Sequence, residues 1–122
     1  MDYTWVMRDS LHTVVELPEF RRAANRLLTE AEIGDLVYYL AQHPTVGDVI
    51  RGSGGVRKVR WAREGRGKRG GTRVITFYTG ADLPLFLITV YAKGEKDTLS
   101  GVEVGAMRKL TAVLKESYGR LR

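Results

Sequence analysis

The segment from Arg51 to Arg73 limits the fold more than any other. Nine of its residues are basic (Arg51, Arg57, Lys58, Arg60, Arg63, Arg66, Lys68, Arg69 and Arg73), against one acid, Glu64, so it carries +8. The first fifty residues carry −4 and residues 74–122 carry +2, which makes the +6 of the whole chain a local property. A stretch so charged cannot be buried on both sides. Yet Val56, Val59 and Trp61 sit among the cations with two-residue alternation, the pattern of a half-buried strand. On that reading Val59 and Trp61 face a core, and Lys58 and Arg60 project together from an open sheet face. Seven glycines lie in the same segment, in two groups, Gly52/Gly54/Gly55 and Gly65/Gly67/Gly70/Gly71. A concentrated positive field beside conformationally free backbone suits a polyanion, and nucleic-acid phosphate is the first candidate. The plain alternative is a solvated basic loop that only keeps the chain soluble.

Size and composition remove several functional classes. A length of 122 residues fits one domain, 1–122, with residues 1–12 as an N-terminal extension. There is no cysteine, which excludes thiol catalysis, a disulfide framework and a cysteine zinc site. The two histidines, His12 and His43, are far apart, so no metal is expected, and no other cofactor is. No apolar run reaches the ~20 residues that span a bilayer. The N-terminus lacks the basic start and apolar run of a signal peptide, so a cytoplasmic protein with no membrane association is expected.

Taken in order, Thr13 to Leu17 reads as a short β-branched strand, and Pro18 suits the first turn of a helix. Phe20, Ala23, Ala24, Leu27 and Leu28 then recur at helical spacing. Thr29 and Glu32 form a capping-box pattern that opens a second helix with an apolar stripe of Ile33, Leu36, Val37 and Leu40, ended by His43-Pro44. With almost no loop between them, the two helices predict a hairpin on one face of a sheet. Residues 44–55 read as turns. Three strands follow, near 56–62, 71–78 and 85–93, the last the most apolar and therefore expected at the centre. Arg73, Ile75 and Phe77 share one side of the second strand; Val74, Thr76 and Tyr78 share the other. Ser100 and Glu103 form another capping-box pattern, before a final helix whose stripe is Val104, Met107, Leu110, Val113 and Leu114. The fold class is α+β, with a small, mostly antiparallel sheet, an N-terminal helical hairpin and a C-terminal helix.

Neither glycine group is a nucleotide loop, since G-x-x-x-x-G-K-[ST] spacing is absent. The second group is expected to be a basic hairpin tip that reaches a nucleic-acid backbone, partly disordered until it binds. If the open face cuts RNA, the RNA's own 2′-hydroxyl is the nucleophile, and the protein supplies proton transfer and cations for the growing charge. Lys58, Arg60, Arg73 and Lys93 are basic and close in the expected sheet. Arginine holds its proton and clamps phosphate. A lysine acts as base only after losing its proton, a loss that neighbouring cations favour. Tyr78 and Tyr91 are candidates for base stacking or proton transfer, or for simple packing. His43 reads as a helix cap, His12 as exposed and Trp61 as core.

Three runs carry a resemblance. They are Pro44-x-x-Gly47-Asp48-Val49-Ile50-x-Gly52-x-Gly54-Gly55-x-Arg57-Lys58-x-Arg60, then Gly65-x-Gly67-Lys68-x-Gly70-Gly71-x-Arg73-Val74-Ile75, then Leu87-x-x-x-Tyr91-x-Lys93-x-Glu95-Lys96. Together they resemble the RelE/HigB superfamily of toxins from bacterial type II toxin–antitoxin systems, nearest to the HigB-type branch, over roughly Thr13 to Leu114. The resemblance implies a RelE-like fold and a ribosome-dependent endonuclease that cuts mRNA in the ribosomal A site and inhibits translation. It implies Lys58, Arg60, Arg73 and Lys93 as the catalytic cations, with Lys96 as a second match to Lys93. Around them Arg57, Arg63, Arg66, Lys68, Arg69, Tyr91 and Lys96 would bind RNA and the 70S ribosome. It also implies a cognate antitoxin of helix-turn-helix type, and promoter DNA bound only through the toxin–antitoxin complex. Some relatives carry an aromatic or histidine residue just after the last strand; here the run is Gly94-Glu-Lys-Asp-Thr-Leu-Ser-Gly101, which leaves proton transfer to Lys58 and Lys93 or implies a weaker activity. A branch that poisons DNA gyrase lacks the cationic set. That branch and a non-catalytic nucleic-acid-binding module are the alternatives.

Overall fold

A computed structural model of the chain describes residues 11–61, 71–96 and 98–119. Its elements are β1 (Val14–Glu16), α1 (Pro18–Leu27), α2 (Glu30–Gln42), β2 (Asp48–Val49), β3 (Val56–Trp61), β4 (Thr72–Phe77), β5 (Leu85–Ala92) and α3 (Gly101–Gly119). The five strands form one sheet in the order β1-β5-β4-β3-β2. β1 runs parallel to β5, and every other pairing is antiparallel. This is the expected mixed architecture. Two details differ. β2 falls within the stretch read as turns, because two residues are too few to show alternation. The middle strand is β4, with β5 beside it. All six β4 residues are buried although three are Thr or Arg, so hydrophobicity alone misplaces the centre.

Sheet alternation divides the core in two. One face packs Val59, Val74, Leu85, Leu87 and Val90 against Phe20, Ala23 and Ala24 of α1 and Ile33, Leu36 and Leu40 of α2. The opposite face packs Val56, Ile75, Phe77, Phe86 and Ile88 against Met107 and Leu114 of α3. The face expected to be open is therefore roofed by α3 at one end. Within α3, Val113 is 57% exposed and does not join the stripe; buried Thr111 takes that side. Val37 is half-buried, and Ala41 completes the stripe of α2.

Local chemistry fixes the helix ends. Pro18 sits in the first turn of α1, where its missing N–H has no intrahelical partner to lose. Thr29 Oγ1 accepts from Glu32 N–H at 3.1 Å, and the Glu32 carboxylate accepts from Thr29 N–H at 2.8 Å. Thr29→Ala removes one of these bonds and is expected to cost about 1 kcal/mol in chemical denaturation. An unchanged midpoint would mean that packing alone holds the junction of the hairpin. The N-terminal end is tied down as well. His12 N–H donates to Ala41 O, and the His12 ring is half-buried, edge-on to Tyr78 with Nδ1 3.3 Å from its hydroxyl, where an exposed residue is expected. No helix among the described residues is long and apolar enough to cross a membrane.

The glycines Gly52, Gly54 and Gly55 do a different job from lining a phosphate. All three have positive φ, which turns the chain sharply between β2 and β3. Ser53 at the centre is fully buried, its hydroxyl donating to Ile50 O at 2.6 Å and accepting from Val56 N–H at 2.9 Å. The turn lies so close to α3 that a Cβ on Gly54 would stand 2.5 Å from Thr111 Oγ1.

Candidate nucleic-acid site

The α3-covered face grades from apolar to cationic in three cross-strand rows. Val56, Phe77 and Phe86 form the first, under α3. Asp48, Lys58, Ile75 and Thr89 form the second. Arg60, Arg73 and Tyr91 form the third, at the far end of the sheet. Directly opposed side chains in such rows have Cβ atoms ~5 Å apart.

Tyr91 reaches this face through an irregularity. In β5 the pairing steps from Thr89 opposite Ile75 to Leu87 opposite Thr76, so Ile88 is an extra residue without a partner on β4. A bulge of this kind reverses the alternation beyond it. Leu85 and Leu87 face the helical hairpin, while Tyr91 faces the other way with Phe86 and Ile88. Strict alternation in the sequence would put Tyr91 with Leu85 and Leu87. The run of apolar residues hides the bulge, because either register buries hydrophobic side chains.

Arg73 is buried, 8% exposed, and lies directly opposite Arg60. Like charges facing each other across a sheet destabilise it, and a buried cation without a counter-charge costs more still. Among the described residues, neither guanidinium has a carboxylate within ion-pair distance. The arrangement is one that an anion completes, and two guanidinium forks suit the oxygens of a phosphate.

The turn after β5 adds further cations and is clamped on both sides. Lys93 is exposed, and its N–H donates to Gly71 O at 3.2 Å, one step beyond the β4–β5 ladder and at the same end of the sheet as the arginine row. Glu95 accepts from Ala92 N–H at 3.1 Å and from Arg26 of α1 at 2.9 Å. The Ala92 amide first and the Arg26 guanidinium second hold its carboxyl below the usual glutamate range. Lys96 is paired with Glu103 of α3, and its Nζ lies 5.4 Å from the centre of the Tyr91 ring. The Lys96 ammonium first and the Ser100 amide second hold Glu103 below that range too. Glu103 therefore does two jobs, capping α3 through Ser100 and fixing Lys96. Because both carboxyls are lowered in the folded protein, their support is complete at neutral pH. It is lost as pH falls below the usual glutamate range. Exchange of the Ala92 amide is expected to speed up over that interval, and in Glu95→Gln to lose most of this acid dependence; identical profiles in both proteins would remove Glu95 from the clamp.

The structure thus brings Lys58, Arg60, Arg73, Tyr91 and Lys96 to one end of one face, with Lys93 on the adjoining turn. Tyr91 is 5% exposed, so its ring supports Lys96 and the arginine row more than it offers a surface to a base. Tyr78 is on the hairpin face, packed against that core. Arg57 points away from the row. It is half-buried on the hairpin side and donates to Gly47 O at 3.2 Å, which ties β3 to the preceding turn. Trp61 is half-buried against the hairpin core, its ring 5.3 Å from that of Tyr39. Arg63, Arg66, Lys68 and Arg69 lie outside the described residues. Sequence reasoning passed over Asp48 and the pairing role of Glu103. A β-branched pair after Gly47 was the one signal for the strand that carries Asp48, and the capping box already marked Glu103.

A protein-family profile described as "RelE toxin of RelE / RelB toxin-antitoxin system" matches residues 19–119. The matched span contains both helices of the hairpin, β2 to β5 and all of α3.

Proposed function

Because the chain belongs to the RelE toxin family, we propose that it is a toxin that cuts mRNA on the ribosome, in the A site, and so stops translation. The paired, counter-charge-free arginines Arg60 and Arg73 are the observation that carries this reading. They are placed to hold the scissile phosphate. Attack of the 2′-hydroxyl on that phosphorus forms a 2′,3′-cyclic phosphate and releases the 5′-oxygen of the next nucleotide. The 2′-hydroxyl loses a proton and the leaving oxygen gains one, and Lys58 and Lys93 are the groups assigned to those transfers. Arg60 and Arg73 offset the charge that grows on the equatorial oxygens. We place the chain nearest the HigB-type branch on its glycine-rich basic segment. Its expected partners are the 70S ribosome with its mRNA and a helix-turn-helix antitoxin, with promoter DNA reached through that complex.

The reading also accounts for chemistry that is sparse in strong acids and bases. When a large partner holds the 2′-hydroxyl and the phosphorus in line, positioning alone supplies several kcal/mol of the barrier. The test compares one RNA free in solution with the same RNA on translating ribosomes. Cutting is expected only on ribosomes, with negligible loss of free RNA. Equal rates on both would end the claim of ribosome dependence.

A further inference from the structure

Next to the arginine row is a recess of about 280 Å³ lined by Asp48, Val49, Ile50, Lys58, Arg60, Thr98 and Leu99. It has cations on one side, the apolar side chains of Val49, Ile50 and Leu99 around it, and one carboxylate. That carboxylate is out of place for a site that only binds phosphate. Asp48 stands opposite Lys58 in the β2–β3 pairing, yet among the described residues it makes no ion pair or hydrogen bond. An acid that merely balanced the cations would be found paired with one of them. An acid left open beside a phosphate site has a different use in single-stranded RNA, where unstacked bases are read by hydrogen bonds to their edges and by apolar contact with their faces.

We infer that this recess takes the nucleobase adjoining the phosphate held by Arg60 and Arg73, and that Asp48 selects guanine there. The inference rests on the RNA-cutting reading for its biological use. Guanine alone presents two adjacent donors, N1–H and the 2-amino group, which the two oxygens of a carboxylate accept together. Adenine and cytosine place an acceptor beside their amino group, and uracil flanks its single N–H with two carbonyls, so each sets a lone pair against the carboxylate. Val49, which is 57% exposed, and Leu99 supply apolar surface for the ring.

The test has two arms, both with the full chain. In the first, the four nucleoside 5′-monophosphates are titrated separately while amide signals of β2 and β3 are followed. Guanosine monophosphate is expected to bind about tenfold more tightly than the others, a discrimination of the size a good bidentate base contact gives. Asp48→Asn is expected to level the four affinities with an unchanged melting temperature. Four equal affinities in the unsubstituted protein overturn the inference. In the second arm, cut positions in ribosome-bound mRNA are mapped. Guanine is expected next to the cut, with an enrichment that falls about tenfold in Asp48→Asn; an enrichment that survives the substitution overturns it. The nucleotide arm does not need cleavage. A guanine preference in a protein that cuts nothing would keep the recess and reject the nuclease reading.

Discussion

Replacing Arg73 with methionine is expected to lower cleavage by about 10²–10³-fold, the cost of removing one preorganised donor to a developing oxyanion. The same substitution is expected to raise stability, by about 1–3 kcal/mol, because it exchanges a buried, unpaired cation for an apolar side chain of similar length. Both effects come from one fact. Arg73 is 8% exposed, faces Arg60 across β3 and β4, and has no carboxylate near it among the described residues. A residue kept for structure would show the opposite sign in a melting experiment. Ribosome binding should change little, since binding is spread over many surface cations and Arg73 offers little surface. Arg73→Lys keeps the charge but loses the fork, and should recover only part of the rate. Cutting at the normal rate in Arg73→Met would show that the row is not where phosphate sits.

Gly54→Ala should be the most damaging small change in the molecule that touches no charge. Gly54 has φ +87°, and an added Cβ would meet Thr111 Oγ1 at 2.5 Å. Left-handed backbone costs a non-glycine residue ~1–3 kcal/mol, and forcing α3 outward adds a packing cost of similar size. A loss of about 2–4 kcal/mol in urea unfolding is expected from the two together. Adding Thr111→Ala removes the obstacle but not the backbone strain, so the double variant should recover only part of the loss. Full additivity of the two losses would mean that the turn and α3 do not touch as described. This position separates two uses of a glycine-rich sequence. A phosphate-cradling turn loses ligand when altered; this one loses the fold.

Those two residues also show what the sequence made legible. The charge segment, the alternation through Val56 to Trp61 and the pairing of Arg73 with Ile75 and Phe77 on one face place Arg60 and Arg73 on the same surface. Both capping boxes, Thr29/Glu32 and Ser100/Glu103, are present in the fold. Such features rest on neighbours in the chain, and local pattern reads them. What was hidden depends on residues far apart. Gly54 belongs against Thr111, and only the packing of α3 shows it. The extra residue at Ile88 that turns Tyr91 towards the arginines lies in an apolar run where either register looks satisfactory. Arg57 alternates away from Lys58 and so is tied to Gly47 O, although in a list of cations the two look alike. β2 is two residues long, short enough that nothing marks it but the strand it joins. Asp48 went unread for that reason.

The most direct test of the central claim is to map mRNA 5′ ends in a purified translation reaction, with and without the protein. New ends within A-site codons are expected, absent when ribosomes are left out and absent with Lys58→Ala. Intact mRNA with translation continuing would contradict the account, and the anion held by Arg60 and Arg73 would then have to be something other than a scissile phosphate.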